Sequence, residues 1–384
     1  MQRSRRCALL AVPAVLVLGA CSNADADADT EIRPVSSVTH LSTMQVPDGL
    51  TPFGSPLGGL SGIDYDATTG SYLVVSDDRA QNGPARAYTL TLPLNGKGEF
   101  TGAAPEFTSM IELTDIGGVP YPEKGVDPES IRRVAGSTDF VYSSEGDASK
   151  FLAPFVRLAS ADGAVVRDFA VPEHYLPTAG PDGTQASGIR NNLAFEGLTF
   201  STDGSELLAL TENSLIQDGT IATVENGTDS RVLVFDSASG DAVDEFVYEV
   251  DPISGVYPDV VDSTGYTLKA DRGATEILAI GDDEFLVIER GAVPGNGVEA
   301  QVFWTTTAGA TSVDGRAVLD GTETPMPKKL LFDFADTGAD PDNVEGITWG
   351  PTLDDGTRTV VIVADDNFNA KGGQHTMFHV LAVR

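Results

Sequence analysis

Ten side chains fall at recurring places along the chain, and nine of them are carboxylates. Ser61, Glu129, Glu196, Glu276 and Glu345 each open a short segment (SGIDYD, ESIRRV, EGLTFS, EILAIG, EGITWG). Asp77, Glu145, Glu212, Glu289 and Asp365 each close the apolar run that follows, and Asp78, Asp147, Asp366 and Asn367 stand beside them. Oxygen donors in such numbers suit a hard divalent cation, and Ca²⁺ accepts more and looser oxygen ligands than Mg²⁺, which demands a tight octahedron. If these acids share one site, they repel: at roughly 6 Å and an effective dielectric near 20, each like-charge pair costs on the order of 3 kcal/mol. Either cations neutralise them, or arginines such as Arg79, Arg132, Arg190 and Arg290 pair with them locally and no metal is needed.

Other chemistries fade. With 24 Lys and Arg against 57 Asp and Glu, the formal net charge of −33 repels a phosphate backbone, so nucleic acid is excluded as a partner. The four histidines, His40, His174, His375 and His379, are scattered, and the last two stand four apart in a strand-like segment where that spacing gives no shared helical face. No zinc-protease, nucleophile-elbow, phosphate-loop or dinucleotide fingerprint occurs in a supporting context. Trp304 and Trp349 read as core rather than as a sugar platform.

The elements that must position the acids follow from the turns. With 41 Gly and 22 Pro among 384 residues, the chain favours many short strands and turns, hence an all-β protein. Each opening segment is followed by a turn cluster (ATTG, AGST, STDG, GDDE, LDDG) and then by a β-favouring run (YLVVSDD, FVYSSEG, LLALTEN, FLVIERG, VVIVADDN), so each repeat predicts a hairpin. Third strands follow (ARAYTLTL, PFVRLAS, SRVLVFDS, AQVFWTT, TMFHVLAV), and fourth strands in all but the last unit (FTSMIEL, VVRDFAV, VDEFVYEV, KKLLFDF). The N-terminal run VSSVTHLSTMQ supplies the missing one and closes the ring, leaving no long free edge. This predicts a β-propeller of five four-stranded blades over residues 35–384, with a sixth blade as the alternative because the step from Glu196 to Glu276 is longer than its neighbours. In such a blade the first residue of the inner strand meets the last residue of the second, so the ten positions converge on one mouth of the central channel.

The first residues read as an address. Arg3, Arg5 and Arg6 precede the apolar run CALLAVPAVLVL, which has the length of a signal-peptide core. Leu18-Gly19-Ala20-Cys21 then resembles a bacterial lipobox, and SNADADADTE reads as a polar tether. The expectation is an export signal over 1–20, a lipid-anchored tether over 21–34 with Cys21 acylated on the outer face of the cell membrane, and a mature domain without a thiol for a disulfide, a zinc-thiolate site or a cysteine nucleophile.

The segments GGLSGIDYDATTGSYLVVSDDR, DPESIR, FEGLTFSTDGSELLALTEN, FLVIERG and VEGITWGPTLDDGTRTVVIVADDNF together resemble the bacterial phytase-like domain, described as having the esterase-like activity of phytase. The resemblance runs from about Leu57 to Arg384. It implies a propeller associated with phosphoester hydrolysis, whose active groups fall on Asp77, Asp78, Arg79, Glu129, Glu145, Glu196, Glu212, Glu289, Arg290, Glu345, Asp365, Asp366 and Asn367. The expected function is therefore an exported, monomeric Ca²⁺-dependent phosphoesterase or esterase acting on a small molecule. Glu196, Glu212, Glu289, Glu345 and Asp365 would hold or serve the catalytic metal, while Arg79, Arg290 and Lys371 would orient the anionic group. So few basic residues can hardly build a patch for phytate itself, which favours a smaller or less charged ester. The alternative is a lipid-anchored binding or scaffolding propeller with structural Ca²⁺ and no catalysis.

Overall fold

Each repeated segment forms the inner hairpin of a four-stranded antiparallel sheet, and there are five such sheets in the computed structural model, which describes residues 35–254, 260–261, 267–268, 270–293 and 297–384. The expected export signal and tether, with Cys21, lie outside the described residues. From the channel outward, the first blade comprises Leu60–Asp66, Ser71–Ser76, Arg86–Thr91 and Glu106–Glu112. The second is Pro128–Arg133, Phe140–Ser144, Phe155–Ala159 and Val165–Asp168. The third is Phe195–Phe200, Glu206–Thr211, Thr228–Asp236 and Ala242–Val250, and the fourth Gly273–Gly281, Glu284–Val293, Gly297–Thr306 and Lys328–Asp333. In the fifth, Asn343–Trp349, Arg358–Asp365 and Met377–Val383 are completed by the N-terminal strand Val38–Gln45, which pairs antiparallel with Met377–Val383 as the closure argument requires. Among the described residues, the extra length between Glu196 and Glu276 holds the short pair Val260–Val261 with Thr267–Leu268 and no sixth four-stranded sheet.

The blades hold together because both faces of each sheet are covered. Apolar runs such as Val360–Ala364 are therefore continuous rather than alternating, and every residue in that run is buried. One cluster of buried side chains lies at each junction of neighbouring blades; Leu278, Leu286, Ile347 and Ile362, for example, join the fourth to the fifth. Trp304 and Trp349 pack against that cluster, as expected of core residues. His379 is buried in the fifth blade, where its Nδ1 lies 2.9 Å from the Thr43 hydroxyl, and burial pushes its pKa down to about 4.

The channel itself is plugged. Arg132 of the second blade pairs with Glu276 of the fourth at 2.9 Å and donates to the carbonyls of Ile63, Ile277 and Ile347 on three blades. Glu276 in turn accepts from Ser130 Oγ and from the Leu198 amide, so one buried ion pair touches all five inner strands. Removing one partner strands a charge at the axis, which costs about 3–5 kcal/mol. Arg132→Met is expected to lose about that much in urea denaturation, and Arg132→Met with Glu276→Leu to lose less than the two single changes summed.

Candidate metal centre at the acid rim

Every inner strand carries an irregularity in its pairing at its first residues, and this is what aims the rim side chains. The register skips Ser61 and Gly62, Glu129 and Ser130, Glu196, Thr275, and Glu345 in the five blades respectively. Such a bulge leaves the extra residue unpaired and bends the strand, turning its side chain into the mouth of the channel. The glycine after Glu196 and Glu345 answers to close approach between inner strands: a Cβ on Gly346 would stand 2.4 Å from the Ser61 carbonyl oxygen, and one on Gly197 would stand 2.9 Å from the Ile277 nitrogen. Three second-strand acids sit one step beyond their strands, where the amides of Asp77, Glu145 and Glu212 donate to the carbonyls of Gly59, Asp127 and Ala194, while Asp365 is the last residue of its strand and pairs with Asn343.

The same register corrects the fourth repeat. Its bulged residue is Thr275, not Glu276, and the residue opposite Gly273, at the place held elsewhere by Asp77, Glu145, Glu212 and Asp365, is Arg290, not Glu289. A one-residue slip in a strand exchanges its faces. Glu276 accordingly lies in the channel against Arg132, and Glu289 is fully buried at the junction of the third and fourth blades, bonded to Arg272 at 2.7 Å, Lys328 at 2.5 Å and the Tyr248 hydroxyl of the third blade at 2.9 Å. Neither joins the rim.

Among the described residues eight carboxylates do: Asp77, Asp127, Glu129, Glu145, Glu196, Glu212, Glu345 and Asp365 act on one another electrostatically. Single oxygens of Asp127, Glu129 and Glu145 lie within 4.8 Å of one another, as do those of Glu145, Glu196 and Glu212. Arg290 reaches into the group, 3.3 Å from Glu212 and 4.0 Å from Glu345, with Asn343 accepting from its Nη1. Arg79 meets Asp127 at 3.3 Å and Asp147 at 3.0 Å from the edge. Ser61 donates to Glu129 at 2.9 Å, Asn343 to Glu345 at 2.8 Å, and the Ala194 amide to Glu145.

Those partners fall short of the charge. Burial first, and then the neighbouring carboxylates, push Asp77, Glu129, Glu145, Glu196 and Asp365 well above the ordinary range. Glu345 is also raised, mainly by burial and partly offset by Arg290. Asp127 and Glu212 are raised to about 7, again chiefly by burial, with Arg79 and Arg290 opposing. Asp365 Oδ2 and Glu345 Oε2 are buried with no hydrogen-bond partner among the described residues, and Asp365 is 0% exposed. Orphaned acceptors of this kind call for a donor or an ion. Two oxygens bound to one Ca²⁺ at about 2.4 Å each stand no more than about 4.8 Å apart, so the two triads fit a hard cation by spacing as well as by donor type.

The other expected acids serve the scaffold. Asp78 pairs with the fully buried Arg86 at 2.5 Å and caps the amides of Gln81 and Asn82. Asp366 accepts from the amides of Gly59 and Phe368, and the Asn367 amide donates to Asp365 Oδ1 at 2.9 Å. Arg190 donates to the Ser214 and Gly219 carbonyls and pairs with no acid among the described residues. Sequence reasoning missed Asp127, Asn343 and Thr275; the first two stand two residues before Glu129 and Glu345, at one repeat position, and that offset was the available signal. Beside the rim a pocket of 360 Å³ opens between Asp77, Arg79, Asn82 and Phe368.

Among curated proteins the chain is similar to an uncharacterized secreted protein of Arthroderma benhamiae, 25% identical over 226 residues, a match covering 52% of this chain and 44% of that protein. Less than half of that relative's length is thus spanned. Among solved structures it is similar to a GH43_1 enzyme from Xanthomonas citri (TM-score 0.44, 12% identity, 90% of each chain). It is also similar to an exo-β-1,3-galactanase described as putative from Bifidobacterium bifidum s17 (TM-score 0.40, 10% identity, 90% of this chain and 96% of that one). Residues 55–368 match the family described as phytase-like, with the esterase-like activity of phytase, and a match over that much of the chain places the protein in this phytase-like family.

Proposed function

We propose that the chain is a metal-dependent phosphoesterase or esterase that works at the acid rim on a small-molecule ester, with Ca²⁺ as its ion. The observation that carries this reading is the group of eight mutually repelling, largely buried carboxylates containing orphaned oxygens of Asp365 and Glu345. Asp127, Glu129 and Glu145 would hold one cation and Glu145, Glu196 and Glu212 another, with Glu145 common to both. Bound there, a divalent cation supplies charge to draw off electron density from an ester oxygen and to acidify a water. The chain's own residues do the rest. Arg290 keeps its buried Nε–H without an acceptor among the described residues, a donor that an anionic ester oxygen would satisfy. Arg79, with its side chain 23% exposed at the mouth of the adjoining pocket, offers an accessible positive charge to an arriving substrate. Two arginines neutralise one or two negative charges, which fits a monoester, diester or carboxylic ester better than a polyphosphate.

The test is hydrolysis of a panel of phosphomonoesters, phosphodiesters and carboxylic esters with Ca²⁺ and with chelator. Turnover that requires the metal supports the reading, and none across the panel overturns it. A second reading is favoured by the depth of the cluster: Glu145 and Asp365 are almost or wholly inaccessible, as suits structural ions in a non-catalytic binding propeller.

The proposal extends to place. Residues 1–20 would be removed on export and Cys21 lipidated, anchoring the domain to the outer face of the cell membrane. Cys21→Ser is expected to move the protein from the detergent phase to the aqueous phase in phase partitioning; unchanged partitioning removes the anchor.

A further inference from the structure

At the opposite ends of the inner strands from the acid rim, a second pocket lies between the second and third blades and takes no part in the chemistry above. Its volume is 380 Å³, within the usual range of small-molecule sites. Val134, Leu158, Phe169 and Phe200 give it apolar walls, and two arginines, Arg133 and Arg167, face into it. The Arg133 guanidinium has no hydrogen bond and no carboxylate within ion-pair distance among the described residues, and its Nε is buried. Asp64 from the first blade takes the main-chain amide of Arg133 at 2.9 Å and not its side chain. Arg167 lies over the Phe169 ring at 4.5 Å and donates from one nitrogen to the Ser237 carbonyl at 2.6 Å, while its buried Nη1 has no acceptor among the described residues. The pocket's one carboxylate, Asp203, is already bonded to Ser201 and Ser205 within its own turn.

This arrangement is unusual for so acidic a chain. With 57 Asp and Glu in the chain, Arg86, Arg157, Arg231 and Arg272 pair directly with carboxylates, yet here two arginines line one apolar recess without a direct ion pair among the described residues, Asp64 and Asp66 acting on Arg133 only from beyond that distance. Buried donors without acceptors are rare in folded proteins, and planar guanidinium groups match the oxygens of a carboxylate or phosphate in bidentate fashion. We propose that this pocket binds a small amphipathic anion, whose carboxylate or phosphate monoester head is held by Arg133 and Arg167 while a short chain or single ring lies against Val134, Leu158 and Phe200.

Calorimetry of the full chain with octanoate, hexyl phosphate and neutral octanamide tests this. Octanoate or hexyl phosphate is expected to bind at least about tenfold tighter than octanamide, and whichever anion binds tighter identifies the head group. Arg133→Gln should weaken that binding at least about tenfold, and so should Thr202→Trp, which places a bulky ring at the exposed turn lining the mouth. Asp365→Asn at the distant rim should leave it unchanged. Equal binding of anion and amide overturns the proposal, as does wild-type affinity in Thr202→Trp, a surface change that keeps the test intact if Arg133→Gln fails to fold. Loss of binding in Asp365→Asn would assign the anion to the rim and overturn it equally.

Discussion

Asp365→Asn is expected to lower metal-dependent ester hydrolysis at least about a hundredfold and, in chelator, to raise the melting temperature. The two effects have one cause. Asp365 is 0% exposed, its Oδ2 has no partner among the described residues, and burial followed by the charges of Asp77 and Glu345 disfavours its ionised form. Replacing the carboxylate by an amide of the same shape removes that repulsion when no cation is present, and the gain should register as a rise of about 2 °C or more in the melting temperature. With cation present the same change removes a ligand or a neighbouring charge, so the ion binds less tightly and sits less well for the reaction. Glu212→Gln should behave alike in activity, but its gain in chelator should be smaller because Arg290, 3.3 Å away, loses its partner. Activity per folded molecule that persists in both variants would place the chemistry elsewhere. A fall in stability in chelator for Asp365→Asn would mean that the carboxylate is paired and the cluster scaffolding.

The difference between the fourth repeat and the others shows what the sequence could and could not disclose. The five hairpins were legible because each joins a turn cluster to a β-favouring run, and the closing strand because the last unit ends one strand short. The convergence of acids was legible as a consequence of propeller geometry. In the fourth repeat, however, the acid nearest the expected place is Glu276, one residue past Thr275, and residue types alone do not reveal a bulge. The slip carried the second-strand position with it, so that Glu289 stood in for a rim acid where the fold presents Arg290. That exchange matters chemically: the fourth blade contributes the guanidinium and no carboxylate. Asp127 and Asn343 were missed because they precede the repeated motif, outside the window in which the repeats align. The Arg132–Glu276 plug was visible only as the general option of local pairing; its reach across all five inner strands requires the ring to be closed.

Stability in chelator should fall as pH rises from about 4 to 8, and Ca²⁺ should reverse that slope. An acid whose folded pKa is raised binds its proton more tightly in the folded state than in the unfolded one, so its penalty is absent below the unfolded pKa and complete above the folded value. For Glu212, raised from 4.5 to about 7, the window is pH 4.5–7 and the penalty is on the order of 3 kcal/mol. Asp127 shifts likewise to about 7 from 3.8, and the higher direction of Asp77, Glu129, Glu145, Glu196 and Asp365 extends the decline to more alkaline pH. His379, pushed down to about 4, acts in the other sense: its stabilising contribution is present above pH 6.5 and is lost as pH falls toward 4. His40, also lowered by burial, acts in the same sense, so two histidines stand against eight carboxylates and the carboxylates set the slope. Protons and Ca²⁺ compete for the same oxygens, so the rise in melting temperature on adding millimolar Ca²⁺ should be small at pH 5 and large at pH 8, where a concentration about 100 times the Kd adds roughly 2.7 kcal/mol. Mg²⁺ should do less, because a cluster with this many carboxylate oxygens fits a larger, more flexibly coordinated ion. A flat pH profile in chelator together with no calcium shift would show that the eight acids are neutralised within the fold, and with that the metal reading of the rim would fail.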